Sequence, residues 1–195
     1  MTILLSPRIP LEPRWKPYHK SIVLNLPEFA KGWLLDPGSL TCRLMAASGG
    51  DFRVQVLRQS FGKPKLSETR RLGLRLGEWA MIREVALICK GEPWVYARSI
   101  IPRTTIVGDT QRLKGLGSRP LGAALFKDPS MHRRVVDIAK VHARNLSYLP
   151  EGESSWGRRS LFTVKGQELL VAEIFLPSLL RRKPIQHAVN RRLIC

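Results

Sequence analysis

The chain has 195 residues and a mass of 22.1 kDa, enough for one domain with a hydrophobic core of its own. A hydrophobic fraction of 44% beside 25% charged residues is ordinary for a globular protein and excludes disorder throughout. The 33 Lys+Arg against 15 Asp+Glu give a formal charge of +18, which favours anionic partners without choosing between nucleic acid, an acidic membrane surface and a small polyanion.

Residues 1–19 carry Pro7, Pro10, Pro13 and Pro17 among Arg and Trp. Each proline fixes φ and steers its predecessor away from helix, so an extended strap is expected. Pro27–Leu35 reads as a short helix with proline in its first turn, stopped by Asp36-Pro37-Gly38, with Phe29, Ala30 and Trp33 as its buried stripe. From Phe52 the period becomes two: Phe52, Val54 and Val56 alternate with Arg53, Gln55 and Leu57, the mark of a half-buried antiparallel strand. The basic, Leu-rich stretch Arg70–Leu76 takes no assignment. Trp79–Cys89 and Trp94–Ile101 form a hairpin about Gly91-Glu92-Pro93, and Ser160–Val164 with Glu168–Leu176 form a second about Lys165-Gly166-Gln167. Between them, Arg119–Phe126 reads as a short helix. A longer helix is expected from an Asp128 cap and Pro129 to about Asn145, with Met131, Val135, Ile138, Val141 or His142, and Leu146 as its stripe. Strands interspersed with short helices make an α+β domain around an antiparallel sheet, over residues 1–180, with a basic tail at 181–195.

Cys42, Cys89 and Cys195 are an odd count without C-x-x-C spacing, which argues against a zinc ribbon or a disulfide framework and for a reducing compartment. Met1–Pro7 is too short for the core of a signal peptide, and no apolar run reaches the length of a membrane span. A cytoplasmic protein with no membrane insertion is the expectation. His132 and His142 are ten residues apart on the expected helix, too far for one metal, and no nucleotide loop or nucleophile elbow is present.

The informative feature is charge where none is expected. Strand parity sets Arg83 in a row with Trp79, Met81, Val85, Leu87 and Cys89, while Glu84 shares the other face with Ala80, Ile82, Ala86 and Ile88. Glu173 lies between Val171 and Phe175, and Arg98 between Tyr96 and Ile100. Arg and Glu are seldom buried unless paired. Two readings follow. Arg83 forms a structural bridge to Glu84 or Glu173, or it faces an enclosed pocket and awaits a ligand carboxylate, which its planar fork matches. In the second case Glu173 serves as acid, base or hydroxyl acceptor. Gly115–Gly122 is either an ordinary loop or a source of backbone N–H contacts, and Trp156-Gly157-Arg158-Arg159 is either a solvated strand start or a phosphate-binding pair.

In order along the chain, Arg83–Cys89, Gly91–Trp94, Ala97–Pro102, Leu116-Gly117 with Pro120–Gly122, Leu125-Phe126, Trp156–Ser160 and Glu173–Pro177 resemble the chorismate lyase family of ubiquinone biosynthesis. The similarity spans roughly residues 21–177. It implies a sheet with helical flaps over one buried ligand pocket, in which Arg83 holds a ring carboxylate and Glu173 contacts a ring hydroxyl. Backbone groups at Leu121 and at Leu40, in the early loop Asp36–Arg43, complete the pocket, and Arg98 helps receive an anionic ligand. The implied activity converts chorismate to 4-hydroxybenzoate and pyruvate with no metal, flavin or nicotinamide. A monomer with no nucleic-acid partner is expected, since the aromatic residues fall on core faces rather than among surface arginines. The alternative is a non-enzymatic domain of the same architecture that senses an aromatic acid.

Overall fold

The computed structural model describes residues 12–18, 26–146 and 149–182. Its strands are β1 (Lys16–Pro17), β2 (Phe52–Gly62), β3 (Ala80–Cys89), β4 (Glu92–Pro102), β5 (His132–His142), β6 (Ser154–Val164) and β7 (Gln167–Phe175). Its helices are α1 (Glu28–Leu34), α2 (Leu40–Ser48), α3 (Leu66–Arg71), α4 (Leu121–Phe126) and α5 (Pro177–Leu180). The strands form one sheet in the order β1-β5-β6-β7-β4-β3-β2, antiparallel at every pairing. Two three-stranded meanders, β2-β3-β4 and β5-β6-β7, are joined where β4 pairs with β7.

Both expected hairpins are present, with turns shorter than expected. Lys90-Gly91 and Lys165-Gly166 are two-residue loops in which both residues take positive φ, 50° and 77° in the first, 50° and 75° in the second. Such loops twist in the sense of the flanking strands, and glycine at the second position meets no Cβ penalty.

Three expectations are overturned. The helix expected over residues 128–145 is strand β5, paired with β6 on one side and β1 on the other. The Asp128 side chain does accept local bonds, but from the Ser130 backbone N–H (3.1 Å) and hydroxyl (2.7 Å). It therefore closes a turn instead of capping a helix, the same chemistry with another outcome. Phe29 is 44% exposed, and α1 buries Ala30, Trp33 and Leu34 instead. Leu40 opens helix α2, capped by the Ser39 side chain, where an irregular loop was expected. The unassigned stretch at Arg70 begins in α3.

Within the strap, Lys16 and Pro17 add an edge strand to β5, a position where proline's missing N–H is tolerated. Trp15 then lies over Gly157: a Cβ there would come within 3.3 Å of the Trp15 ring and 2.5 Å of Ile174 Cδ1. Only glycine admits the strap at that point. The basic tail from residue 183 lies outside the described residues. No helix among those described is long and apolar enough to cross a membrane.

The core divides into two main clusters over one face of the sheet. In the first, Ala30, Trp33 and Leu34 of α1 with Leu40 and Leu44 of α2 meet Val85, Leu87, Val95 and Phe175. In the second, Leu113, Leu116, Leu121 and Leu125 meet Met81, Ile101, Phe162 and Leu169. Burial of this kind stabilises by roughly 25 cal/mol per Å² of apolar surface. The clusters leave a gap between them, and the candidate site occupies it.

Candidate functional site

The gap is a cavity floored by the sheet and roofed by α2 and α4. Val54, Arg83, Val85, Leu87, Ala97, Ser99, Phe162, Val171 and Glu173 line the floor and walls; Leu40, Thr41, Leu121, Gly122, Leu125 and Phe126 line the roof. Gly122 lets the two roof helices close, since a Cβ there would sit 3.1 Å from Thr41 Oγ1.

Register explains how the charged groups are spread. Arg83 lies opposite Ser99, which lies opposite Val171. Glu173 lies opposite Ala97 on one side and Arg158 on the other. Arg83 and Glu173 are thus two strands and two residues apart, about 12 Å between backbones at ordinary sheet spacings. Between them on β4 stand only Ala97 and Ser99, small side chains that leave volume for a ligand.

Arg83 is 2% exposed, yet among the described residues no carboxylate meets it. Its Nη1 donates to Gln59 Oε1 (2.7 Å), and its Nη2 to the carbonyls of Gly117 (2.9 Å) and Arg119 (3.2 Å). Burial pushes its pKa down, with no opposing carboxylate. Glu173 takes a different partner: Oε2 accepts from Arg158 Nε. Arg158, almost wholly buried, also donates from Nη1 to the carbonyls of Trp33 (3.0 Å) and Asp36 (2.8 Å). Arg133 completes the group. Its Nε donates to Ser160 Oγ (3.0 Å), its Nη1 to the Asp36 carbonyl (2.9 Å), and its Nη2 stands 3.8 Å from Glu173 Oε2.

The far face of the same sheet provides the control. There Arg98 holds Glu68 through Nε (2.7 Å) and Nη2 (3.0 Å) and Glu84 through Nη1 (2.7 Å), and the Tyr96 hydroxyl also donates to Glu84. Arg159 and Arg71 share Asp137 at 2.9 and 2.6 Å. Burial works to lower the Arg98 pKa, but Glu68 and Glu84 outweigh it and the net shift is upward. Burial likewise favours a neutral Glu84, and Tyr96 and Arg98 override it to hold the carboxyl below its usual range. Three arginines here meet three carboxylates. On the cavity face, the lining holds Arg83, Arg133 and Arg158 with Glu173 as its one carboxylate among the described residues. The bridge reading thus describes Arg98 and not Arg83, whose guanidinium donates to neutral acceptors.

Of the five residues expected at the site, the fold brings together Arg83, Glu173, Leu121 and Leu40. Arg98 is not among them; alternation places it on the opposite face, and two carboxylates hold it there. Among the described residues no cluster of His, Cys, Asp and Glu could hold a metal ion.

The family model for chorismate lyase matches residues 14–185. The chain belongs to the chorismate lyase family. A relative from Aromatoleum aromaticum, named probable chorismate pyruvate-lyase, is 43% identical over 165 residues, covering 80% of this chain and 89% of its own. Another of that name from Azoarcus is 45% identical over 161 residues, covering 76% and 84%. Among solved structures, PhnF from Mycobacterium smegmatis aligns with a TM-score of 0.54 at 15% identity, over 79% of this chain and 70% of that one. A GntR-family regulator from Bacillus cereus aligns with a TM-score of 0.53 at 10% identity, over 71% and 99%. At such identities these two proteins share the fold alone with this chorismate lyase family member. The stretch Trp156–Arg159 divides between the two faces, Arg158 into the cavity and Arg159 onto Asp137. Arg133 and Arg158 are the charged cavity residues that reading the sequence did not set at the site.

Proposed function

We propose that the cavity binds chorismate and converts it to 4-hydroxybenzoate and pyruvate. The observation that carries this reading is a buried Arg83 facing a cavity with only neutral acceptors. A cation in that state lacks a counter-ion, and a planar carboxylate matches its fork. The lining sums to three guanidinium groups and one carboxylate, a surplus of two positive charges that suits a dicarboxylate.

In the reaction, the C–H bond at the hydroxyl-bearing ring carbon breaks and its electron pair forms the last ring double bond. The C–O bond to the enolpyruvyl arm breaks, and the departing enolpyruvate takes up a proton to become pyruvate. Aromatisation drives the process, so the protein must mainly orient, neutralise and exclude water. Arg83 anchors the ring carboxylate. Glu173 is the one carboxylate lining the cavity among the described residues, and its Oε1 carries no hydrogen bond there. That oxygen is available to hold the 4-hydroxyl or to take the ring proton.

Purified protein given chorismate should release 4-hydroxybenzoate, followed by its absorbance, and should do so after exhaustive chelation and dialysis. Tight binding of 4-hydroxybenzoate without turnover would favour a sensing domain instead. Activity lost on chelation and restored by a divalent ion would overturn the cofactor-free mechanism.

A further inference from the structure

Two surplus cations face the cavity, and the ring carboxylate accounts for one. We propose that Arg133 is the receptor for the second carboxylate, that of the enolpyruvyl arm, an inference that rests on the function proposed above. The first observation is how Arg133 comes to face inward. A bulge in β5 sets Arg133 opposite Phe162 and Val135 opposite Leu161, with Arg134 left over. Without that extra residue, the parity that brings Val136 and Ile138 to the cavity side would bring Arg134 with them and turn Arg133 away. Bulges beside binding sites commonly re-aim a side chain in this manner.

The second observation is the state of its guanidinium. Two nitrogens are held by Ser160 and the Asp36 carbonyl, while Nη2 has no acceptor within hydrogen-bond distance among the described residues. The carboxylate oxygen nearest to it already accepts from Arg158. Burial, with Arg158 alongside, lowers the Arg133 pKa to about 10, so the group remains a cation at neutral pH with a free pair of donors. The third observation is position. In chorismate the ether carbon neighbours the hydroxyl-bearing carbon, so the arm begins beside whatever holds the hydroxyl. With Glu173 in that role, Nη2 at 3.8 Å from it is where the arm's carboxylate arrives. A guanidinium there also steadies the negative charge that grows on the enolpyruvate as the C–O bond breaks.

The test compares ligands with one and two carboxylates. In Arg133→Gln, kcat/KM for chorismate should fall roughly 10- to 100-fold, the range expected for lost charged hydrogen bonds, while the Kd for 4-hydroxybenzoate should change less than about threefold. Arg133→Lys keeps the charge without the fork, so it should lose less on chorismate and leave 4-hydroxybenzoate binding unchanged. It also serves if the Gln variant melts too low to assay. A merely structural Arg133 would weaken both ligands together, and that result, or an unchanged kcat/KM, overturns the subsite. Wild-type protein inert toward chorismate would instead overturn the parent reading.

Discussion

Replacing Arg83 with Met should leave the melting temperature within a few degrees of the parent and remove most of the affinity for 4-hydroxybenzoate. The two halves of this expectation have separate causes. A guanidinium 2% exposed without a counter-ion carries a desolvation cost of several kcal/mol, and Met of similar length removes it. Against that gain, Gln59 and the carbonyls of Gly117 and Arg119 lose their donor, at about 1–3 kcal/mol for each group left dry. Gain and loss are of similar size, and in a chain of this length 1 kcal/mol moves the melt by roughly 2–4 °C. Binding has no such compensation. Losing charged hydrogen bonds worth about 2–3 kcal/mol corresponds to an affinity loss of roughly 30- to 150-fold. A fall of many degrees with unchanged affinity would mean that Arg83 is scaffold.

Glu173→Gln should behave in the opposite way, losing both stability and turnover. Arg158 is 1% exposed, and Glu173 is the carboxylate that meets it. Unpairing a buried charge costs about 3–5 kcal/mol. The Gln oxygen can still accept from Arg158, so the lower end applies, a melt lowered by roughly 6–12 °C. If Glu173 takes the ring proton, kcat should fall at least 100-fold in assays well below the shifted melt, with KM changing less. A fall in kcat under tenfold would leave Glu173 as a hydroxyl holder only. The contrast between the two variants is the signature to look for. A buried cation without a counter-ion should be removable without weakening the fold, whereas a carboxylate paired with a buried arginine should not.

How far the site can be read from the sequence depends on strand parity and on where parity breaks. In β3 the alternation runs unbroken, so the row containing Arg83, Val85 and Leu87 is legible and correct. The same logic cannot say which face of β4 is roofed by helices and which is met by α3 and its Glu68, so Arg98 looked equivalent to Arg83 until the fold separated them. Arg158 precedes the strand start expected at Ser160, and the expected turn would have misplaced it in any case. With a three-residue loop Val164 faces Glu168, and counting back sets Arg159 against Glu173. With the two-residue loop Val164 faces Gln167, and Arg158 takes that place. A slip of one residue exchanges the faces of a strand, and Lys165-Gly166 was the available signal. Strand β5 was hidden by its bulge, which interrupts the period of two, and by an aspartate that resembles a helix cap. The density of branched residues at Val135, Val136, Ile138 and Val141 was the countervailing sign.

The pairing of β4 with β7 is the seam between two meanders far apart in the chain, and the cavity straddles it. Arg83 belongs to one meander; Glu173, Arg158 and Arg133 belong to the other. An occupant with its carboxylate on Arg83 and its hydroxyl on Glu173 therefore spans the seam as a cross-brace. Splaying the meanders would sever both attachments, so binding free energy becomes resistance to that opening. Amide hydrogens of Val95–Ile100 and Leu170–Phe175 should exchange more slowly with 4-hydroxybenzoate present, and those at the outer β2 edge should not. Pairing across such a sequence separation should form late in folding, because loop closure must precede it. The ability to bind should accordingly be among the last properties the refolding chain recovers.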